Sequence, residues 1–396
     1  MALRHPLTLP GYLPSLAMSF SYGLLAPILP LYVLEFEVSY GLVGLALAGE
    51  GVGAILGDLP AGWLLGRLRS KRTMLLGIIL TMLSIGILFW APSIPVVLVF
   101  RLLAGFGRAL WAIARHAYIA EAIPVAGRGK SVALFGGIFR FGRFVGPAIG
   151  GTVAAAYGLR VPFLVSGVIV IGAVAAVAFS TDPQRDSVQE ETHSSGRNGP
   201  LATLRANLRT LATAGMGQFF AQMVRAGRRA IIPLYAADVL GLDAQAIGLI
   251  DSISALADVA LFYPAGMIMD HYGRKYAVVP AFFIQAFGVS LIPFTGSFAG
   301  LALTAALIGL GNGLSAGTML TLGADLSPPD DRAKFLGIWR LVGDAGATGG
   351  PLIVGGVADL LSLHAAGWAT SLTGLAAGSI FLFLVPETLR RDGQGG

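Results

Sequence analysis

One separation, 204 residues, relates the two halves of this chain to each other. It pairs all four lysines, because Lys71 matches Lys275 and Lys130 matches Lys334. The further matches at this separation are Pro60-Ala61-Gly62 with Pro264-Ala265-Gly266, Gly105 and Gly107 with Gly309 and Gly311, Glu121 with Asp325, and Gly146-Pro147 with Gly350-Pro351. A register without gaps indicates a duplicated unit of roughly 200 residues, which is the size of a domain rather than of a solenoid repeat.

The apolar content restricts what this duplicated unit can be. Of the 396 residues, 55% are hydrophobic and 12% are charged, whereas a soluble domain carries about 25% charged residues. Twelve apolar stretches approach or exceed the roughly 20 residues that cross a hydrocarbon core. They cover residues 10–34, 39–66, 73–91, 94–121, 130–157, 161–180, 205–236, 243–270, 276–295, 298–325, 333–361 and 366–386. Because lipid cannot satisfy free backbone groups, the predicted fold is all-α and integral to the membrane, with twelve transmembrane helices in two pseudo-symmetric six-helix bundles.

The basic residues of the loops predict how the chain lies in the membrane. They concentrate in alternate loops, at Arg67 to Arg72, Arg128 to Lys130 and Arg274 to Lys275 among others. Since such residues remain in the cytoplasm, both termini are predicted to be cytoplasmic, in a multi-pass protein of the cell (inner) membrane. The polar residues 181–204 are predicted to be a cytoplasmic linker between an N-terminal bundle, 1–180, and a C-terminal bundle, 205–396.

Three motifs resemble those of the major facilitator superfamily of secondary transporters. After the eighth apolar stretch, Gly266 is followed by Asp270 and then by Gly273-Arg274-Lys275, which is similar to the loop signature of that family. The first copy keeps Gly62 and the basic end, but Gly66 replaces the aspartate. The other two motifs are Arg101 to Gly107 and Gly142 to Gly151. The second of these resembles the fifth-helix motif of exporters that exchange substrate for protons, although glycines and a proline also suit close helix packing.

The resemblance implies a monomer without a cofactor or metal, in which two bundles rock around a central cavity in the lipid bilayer. It also implies a set of gating residues on the cytoplasmic side and in the fifth helix. They are Asp58, Gly62, Glu121, Gly146, Pro147, Gly266, Asp270, Arg274 and Asp325. Arg274 is expected to pair with Asp325, and Asp270 is expected near the start of the fifth helix, around 128–131.

Arginines lie inside the apolar stretches, where a charged side chain costs roughly 2.5–3.5 kcal/mol. Arg101, Arg108 and Arg115 recur every seven residues, so they share one helix face. The candidate substrate-binding residues are Arg101, Arg108, Gln222, Arg225, Arg229 and Asn312. Interior arginines outnumber interior carboxylates, and burying that surplus without water would be costly, so we expect a hydrated, electropositive pathway. Arginine forks suit carboxylates and phosphates, so we also expect a substrate with an acidic group.

The interior carboxylates are the candidates for proton coupling. Glu50, Asp251 and Asp258 lie within predicted helices, and Glu50 has no cation within two turns of its own helix. Desolvation can raise the pKa of such a group into the physiological range. The alternative for Glu50 is a permanent salt bridge to one of the cavity arginines. Arg340 and Asp344, four residues apart, are interpreted as an intrahelical pair.

These features predict a secondary active transporter rather than an enzyme or a nucleic-acid-binding protein. The chain has no Gly-x-x-x-x-Gly-Lys-Ser/Thr sequence and no cysteine, and its histidines are scattered. The first hypothesis is proton-coupled export, by antiport, of a small amphiphilic organic molecule, with anionic molecules included. Two alternatives stay open, an importer or exchanger of an organic or phosphorylated anion, and a membrane sensor or scaffold without transport.

Overall fold

A computed structural model of the protein describes residues 8–122, 125–180 and 200–389, and all regular secondary structure within those ranges is helical. The helices of the first half are α1 (Leu13–Leu25), α2 (Ile28–Leu34), α3 (Tyr40–Ile87), α4 (Ile94–Ala122), α5 (Val125–Tyr157) and α6 (Val161–Ala178). Those of the second half are α7 (Pro200–Ala206), α8 (Leu208–Thr210), α9 (Met216–Asp238), α10 (Ala244–His271), α11 (Arg274–Leu291), α12 (Phe298–Leu314), α13 (Thr318–Leu326), α14 (Arg332–Leu360) and α15 (Leu363–Phe383).

Several of these helices are long and apolar enough to cross a membrane. Within the described ranges there are eight, or nine when the bent pair Pro10–Leu25 and Ile28–Leu34 is counted as one span with a 45° bend. That bent pair coincides with the first predicted stretch, and the helix Tyr40–Trp90 covers the second and third together. The all-helical membrane fold is confirmed, and the number of twelve spans stays a prediction.

The second and third predicted stretches run together in α3, yet the helix is interrupted at Arg69. This residue has a positive φ of 67°, a conformation that costs energy for any residue except glycine. At the equivalent position of the second half, Gly273 separates α10 from α11 with a φ of 130°. Both breaks fall in the predicted loops, so each pair of helices changes direction at the same point of its repeat.

Helix caps and lysine contacts show the duplication in three dimensions. Ser39 caps α3 and Asp243, 204 residues later, caps α10, each by accepting from a backbone N–H three residues on. The Nζ of Lys71 donates to the carbonyl of Ala178 at 3.1 Å, and that of Lys275 donates to the carbonyl of Leu382 at 2.7 Å. Leu382 is the equivalent of Ala178, which confirms the register that the sequence predicts.

The chain divides into two compact units. Unit 1 comprises 1–188 and 233–252, and unit 2 comprises 189–232 and 253–396. Unit 1 therefore includes the end of α9 and the start of α10 together with the first six helices. The predicted domain boundaries stay a prediction, and of the predicted linker 181–204 only the last five residues, which begin α7, are described.

Glycines let α3 and α4 approach closely in unit 1, and this contact positions the interior charges. A Cβ added to Gly53 would collide with the carbonyl of Leu102, and one added to Gly105 would collide with the carbonyl of Glu50. The same contact recurs in unit 2, where Gly309 of α12 lies against the carbonyl of Ser254 of α10. Small residues at such crossings are typical of helix packing in lipid.

Candidate functional site

Glu50, Arg101 and Arg108 form one cluster in unit 1, named the Glu50 cluster below. Arg101 donates from Nη2 to Oε2 of Glu50 at 2.6 Å and from Nε to the carbonyl of Ala46 at 3.2 Å. The Nε of Arg108 lies 3.1 Å from Oε1 of Glu50, although its N–H is not aligned for a hydrogen bond. Gly105, midway between the arginines, brings α4 against α3, so both guanidinium groups reach one carboxylate.

The members of the Glu50 cluster differ in exposure. The side chains of Arg101, Glu50 and Arg108 are 9%, 16% and 35% exposed. One carboxylate facing two guanidinium groups leaves the cluster with an excess of positive charge when all three groups are ionised. The ion pair that sequence reasoning held as the alternative for Glu50 is thus present, and Arg108 is the partner with the most access to solvent or ligand.

Tyr22 of α1 is a residue that sequence reasoning missed. Its hydroxyl is buried and has no hydrogen-bond partner among the described residues. It lies within electrostatic range of all three members of the Glu50 cluster. A buried hydroxyl without a partner loses its hydration without compensation, so this position has a donor and an acceptor that a ligand or water can use. Nothing in the sequence marks it, because tyrosine in an apolar stretch commonly packs by its ring.

In unit 2, Arg225 of α9 binds at a break between α12 and α13. Its Nη2 donates to the carbonyl of Ser315 at 3.0 Å and to the Oγ of Ser315 at 2.6 Å. The break follows from Gly317, which has a φ of 78° and ends the α12 hydrogen-bond pattern. The guanidinium also lies 5.3 Å from the ring centroid of Phe282. Arg225 therefore adds a charged donor to a carbonyl at the helix break that also accepts from the N–H and the hydroxyl of Thr318.

The other predicted residues of α9, α10 and α12 fall into separate places. Asn312 donates from Nδ2 to Oδ2 of Asp258 at 3.0 Å, so a predicted substrate residue and a predicted proton residue form one pair. Asp251 belongs to the part of α10 that is grouped with unit 1.

Gln222 is half-buried and lies near Gly343, and Arg229 is exposed. Arg228, which was not among the predicted residues, donates to the Oγ of Ser254 at 3.1 Å.

The predicted pairing of Arg274 with Asp325 is confirmed. The Nε of Arg274 donates to Oδ2 of Asp325 at 3.1 Å, and its Nη1 donates to Oδ1 of Asp270 at 2.9 Å. Thr388, after the last helix, donates to the same oxygen of Asp325 at 2.9 Å. These residues and Glu387 are called the Arg274 network. The side chains of residues 119–134, including Glu121 and the residues expected near Asp270, lie outside those described.

Glu387 is the second residue that sequence reasoning missed. Its carboxylate accepts the backbone N–H groups of Arg274 and Lys275 at 2.9 and 3.0 Å, and those of Thr388 and Leu389 at 2.8 and 2.9 Å. Partial burial raises the pKa of Glu387, but the four N–H donors outweigh it and hold the pKa below its ordinary value. The carboxylate thereby caps the first turn of α11 and ties the end of the chain to it.

The glycines assigned to gating differ in their surroundings. A Cβ added to Gly62 or Gly266 would meet nothing within 4 Å, so neither glycine is required by a close contact. Gly146 lies against the backbone of Gly23 and Leu24 in α1, as the packing interpretation of its motif predicts. Next to it, the N–H of Ala148 donates to the Oγ of Ser252 at 3.0 Å, so α5 also packs against the start of α10 within unit 1.

Other charged residues considered in the sequence lie on α14 and α3. Arg340 and Asp344 are 3.5 Å apart on α14, which is the intrahelical pair that the spacing predicts. Asp58 is half-buried on α3, one turn before Gly62. None of the described His, Asp and Glu residues form a group of three that could hold a metal ion.

Comparisons with known proteins agree with one another. The family model described as Major Facilitator Superfamily matches residues 13–224 and 214–395. The chain is 24% identical over 371 residues, 89% of its length, to "Multi-drug resistance efflux pump PmrA homolog" of Lactococcus lactis and covers 88% of that protein. It is 23% identical over 400 residues to "Probable galactarate/D-glucarate transporter GarP" of Escherichia coli, with 91% and 89% of the two chains covered. The solved structure titled "Crystal structure of D-xylose-proton symporter" matches 95% of this chain and 97% of its own at 18% identity with a TM-score of 0.73, which shows a shared fold.

Proposed function

The chain belongs to the Major Facilitator Superfamily, a family of membrane transporters that work by alternating access, and from this premise we propose that it exports a small amphiphilic organic molecule in exchange for protons. The observation that carries the proposal is the Glu50 cluster, a carboxylate inside an apolar span between two guanidinium groups of unequal exposure. The efflux-pump relative, matched along 89% of this chain, supports export. The Gly142–Gly151 motif, which resembles that of proton antiporters, supports it as well.

Exchange requires that proton binding and substrate binding weaken each other. While Glu50 is ionised, it neutralises part of the charge on Arg101 and Arg108. When Glu50 takes up a proton, the cluster gains one positive charge and the pairing with Arg108, the more exposed partner, is lost. A cationic amphiphile is then bound less well than before, because the carboxylate no longer attracts it. The sign of this coupling is that of antiport.

An anionic substrate would give the opposite sign. A carboxylate or phosphate is attracted more strongly once Glu50 is protonated and Arg108 is released, so proton and anion would bind together and move together. This second candidate function, proton-coupled uptake of an organic anion, is favoured by the excess of arginine over carboxylate in the Glu50 cluster. The relative named as a probable galactarate/D-glucarate transporter is consistent with it.

The sign of the coupling can be measured directly. Binding of a lipophilic cationic dye and of galactarate to the purified protein would be titrated between pH 5 and pH 8. Export by exchange predicts that the dye binds more tightly as the pH rises, and that an imposed pH gradient drives dye transport in proteoliposomes. Tighter galactarate binding at low pH, with no response of the dye, would replace the first function by the second. Absence of flux for both compounds under a pH gradient would contradict both.

Two variants tell whether Glu50 carries the coupling. Glu50→Gln should make binding independent of pH, because the titrating group is gone while its shape remains. Asp344→Asn is the matched control, since it also removes an interior carboxylate paired with an arginine, Arg340. Its binding should keep the pH dependence of the natural protein. If both variants keep that dependence, the proton is bound elsewhere, and Asp258 becomes the next residue to substitute.

A further inference from the structure

A cavity of about 700 Å³ lies in unit 2 where α11 begins and α15 ends. Its lining consists of Tyr272, Lys275, Tyr276, Val279, Pro280, Leu382, Glu387 and Leu389. Both helices belong to segments long and apolar enough to cross a membrane, Arg274–Phe294 and Leu363–Phe383. The cavity therefore lies at a boundary between hydrocarbon and water, on the side that the loop charges predict to be cytoplasmic.

The lining separates into a polar mouth and an apolar floor. Tyr272, just before α11, and Tyr276, in its first turn, are 61% and 66% exposed, and both line the cavity together with Lys275. Their rings are 6.4 Å apart, centroid to centroid. Val279, Pro280 and Leu382 continue the same groove along the two helices. An occupant that matches this lining has a polar head, an adjoining hydrocarbon chain and the length to extend along α11.

The charges at the mouth specify the head of such an occupant. Lys275 uses one N–H of its ammonium on the carbonyl of Leu382, which leaves two donors for a ligand. Glu387 receives three N–H bonds at Oε1 but a single one, from Lys275, at Oε2. The site thus combines a cation that can still donate with a carboxylate oxygen that can still accept. A headgroup with one phosphate and one primary ammonium complements both.

We propose that this cavity binds a phospholipid with a phosphoethanolamine headgroup. The phosphate lies against Lys275 and the hydroxyls of Tyr272 and Tyr276, and the ammonium donates to Oε2 of Glu387. An acyl chain follows Val279, Pro280 and Leu382 into the bilayer. Since Glu387 belongs to the Arg274 network and caps α11, the bound lipid stabilises the same end of the helix.

The first repeat offers a natural control for this site. Lys71 has the same role as Lys275, because it donates to the carbonyls of Ala178 and Ser180 at the end of α6. The positions equivalent to the two tyrosines are Leu68 and Arg72. Lysine contacts with the end of a helix therefore occur in both units, and the pair of phenol groups occurs only in unit 2.

The test is lipid binding to the purified full-length protein in detergent, by native mass spectrometry and by thermal shift. Phosphatidylethanolamine, phosphatidylglycerol and phosphatidylcholine with identical chains would be compared. Phosphatidylethanolamine should bind with one tight site and raise the melting temperature most. Lys275→Ala should weaken that binding about tenfold, as should Tyr272→Phe with Tyr276→Phe, because each change removes charge-assisted hydrogen bonds. Lys71→Ala should leave it unchanged.

Several results would overturn the proposal. Equal binding of the three lipids would show that the ammonium is not recognised, and tighter phosphatidylglycerol binding would show that only negative charge matters. Full binding by the double tyrosine variant, whose exposed positions leave the fold intact, would place the lipid elsewhere. Equally tight binding of glycerophosphoethanolamine, which has no acyl chain, would make the ligand a soluble one.

Discussion

Replacement of Glu50 by glutamine separates the structural contribution of the Glu50 cluster from its contribution to transport. Removing one partner of a buried ion pair costs about 3–5 kcal/mol, because the other charge stays buried without compensation. Here Arg101 keeps its hydrogen bond to the carbonyl of Ala46, and Arg108 is exposed enough to turn toward water. Both features reduce the cost of leaving the two arginines without the carboxylate. We therefore expect Glu50→Gln to lower the free energy of unfolding by about 3 kcal/mol, the lower end of that range.

A double-mutant cycle checks this figure. Arg101→Met removes the most buried charge of the cluster, and its combination with Glu50→Gln removes both charges while it leaves Arg108 near solvent. The double variant should be more stable than the sum of the single losses predicts, with a coupling energy of about 2 kcal/mol. The measurement is reversible unfolding in detergent micelles. Additive losses would refute the reasoning from a buried pair.

The same variants are then assayed in proteoliposomes with an imposed pH gradient. Glu50→Gln should abolish gradient-driven transport and preserve substrate exchange without a gradient, because the alternating-access fold and the binding residues remain. Fluxes are compared per folded protein, since the variant is less stable. Transport at the natural level under a pH gradient would exclude Glu50 as the proton carrier and leave it as a structural partner of the arginines.

Three further predictions use pairs of substitutions or pH. Tyr22→Phe should raise the free energy of unfolding by about 1 kcal/mol, because it removes a buried hydroxyl that has no partner within the described residues, and it should shift the pH profile of transport. Tyr32→Phe, which removes a 2.7 Å hydrogen bond, should instead cost about 1 kcal/mol and leave that profile unchanged. Glu387 has a lowered pKa in the folded protein. Its stabilising effect is therefore complete above the ordinary glutamate pKa of about 4.3 and is lost as the pH falls through the folded-state pKa. Thermal unfolding should show that Glu387→Gln is destabilised at pH 7 and equal to the natural protein at the lowest pH. Gly105→Ala should lower the free energy of unfolding by about 1–3 kcal/mol through collision with α3, whereas Gly62→Ala should raise it by up to about 1 kcal/mol. Slower transport by the stable Gly62→Ala variant would support the predicted gating role of Gly62, and unchanged transport would exclude it.

Sequence reasoning succeeded where the determining interactions lie within one repeat register. The separation of 204 residues predicted equivalent contacts, and Lys71 and Lys275 make them at Ala178 and Leu382. The pairing of Arg274 with Asp325, which is present, was implied by the resemblance of residues 266–275 to a family motif rather than by spacing. The repeat register and the apolar lengths are patterns that a single sequence displays.

The features that the sequence did not reveal depend on which helices meet. Glu50 had two open interpretations because Arg101 and Arg108 lie on another helix, and only the α3–α4 crossing shows that both reach it. The break between α12 and α13 was not expected, since glycine is common in membrane helices. Glu387 lies more than 110 residues from Arg274, so their contact could not be inferred from spacing.

The two repeats share a backbone design and differ in where they place charge. The position of Glu50 in α3 corresponds to Ser254 in α10, and that of Arg108 in α4 corresponds to Asn312 in α12. Unit 1 therefore holds one carboxylate and two guanidinium groups at a crossing where unit 2 holds a serine bound by Arg228 and an asparagine bound to Asp258. Since a duplicated scaffold begins with identical sites, we expect proton binding in unit 1, where one carboxylate faces two arginines. Exchange of the two equivalent residues, with Glu50→Ser and Ser254→Glu in one protein, should then destroy the coupling of transport to protons. The glycine contacts that both repeats share should keep both units folded.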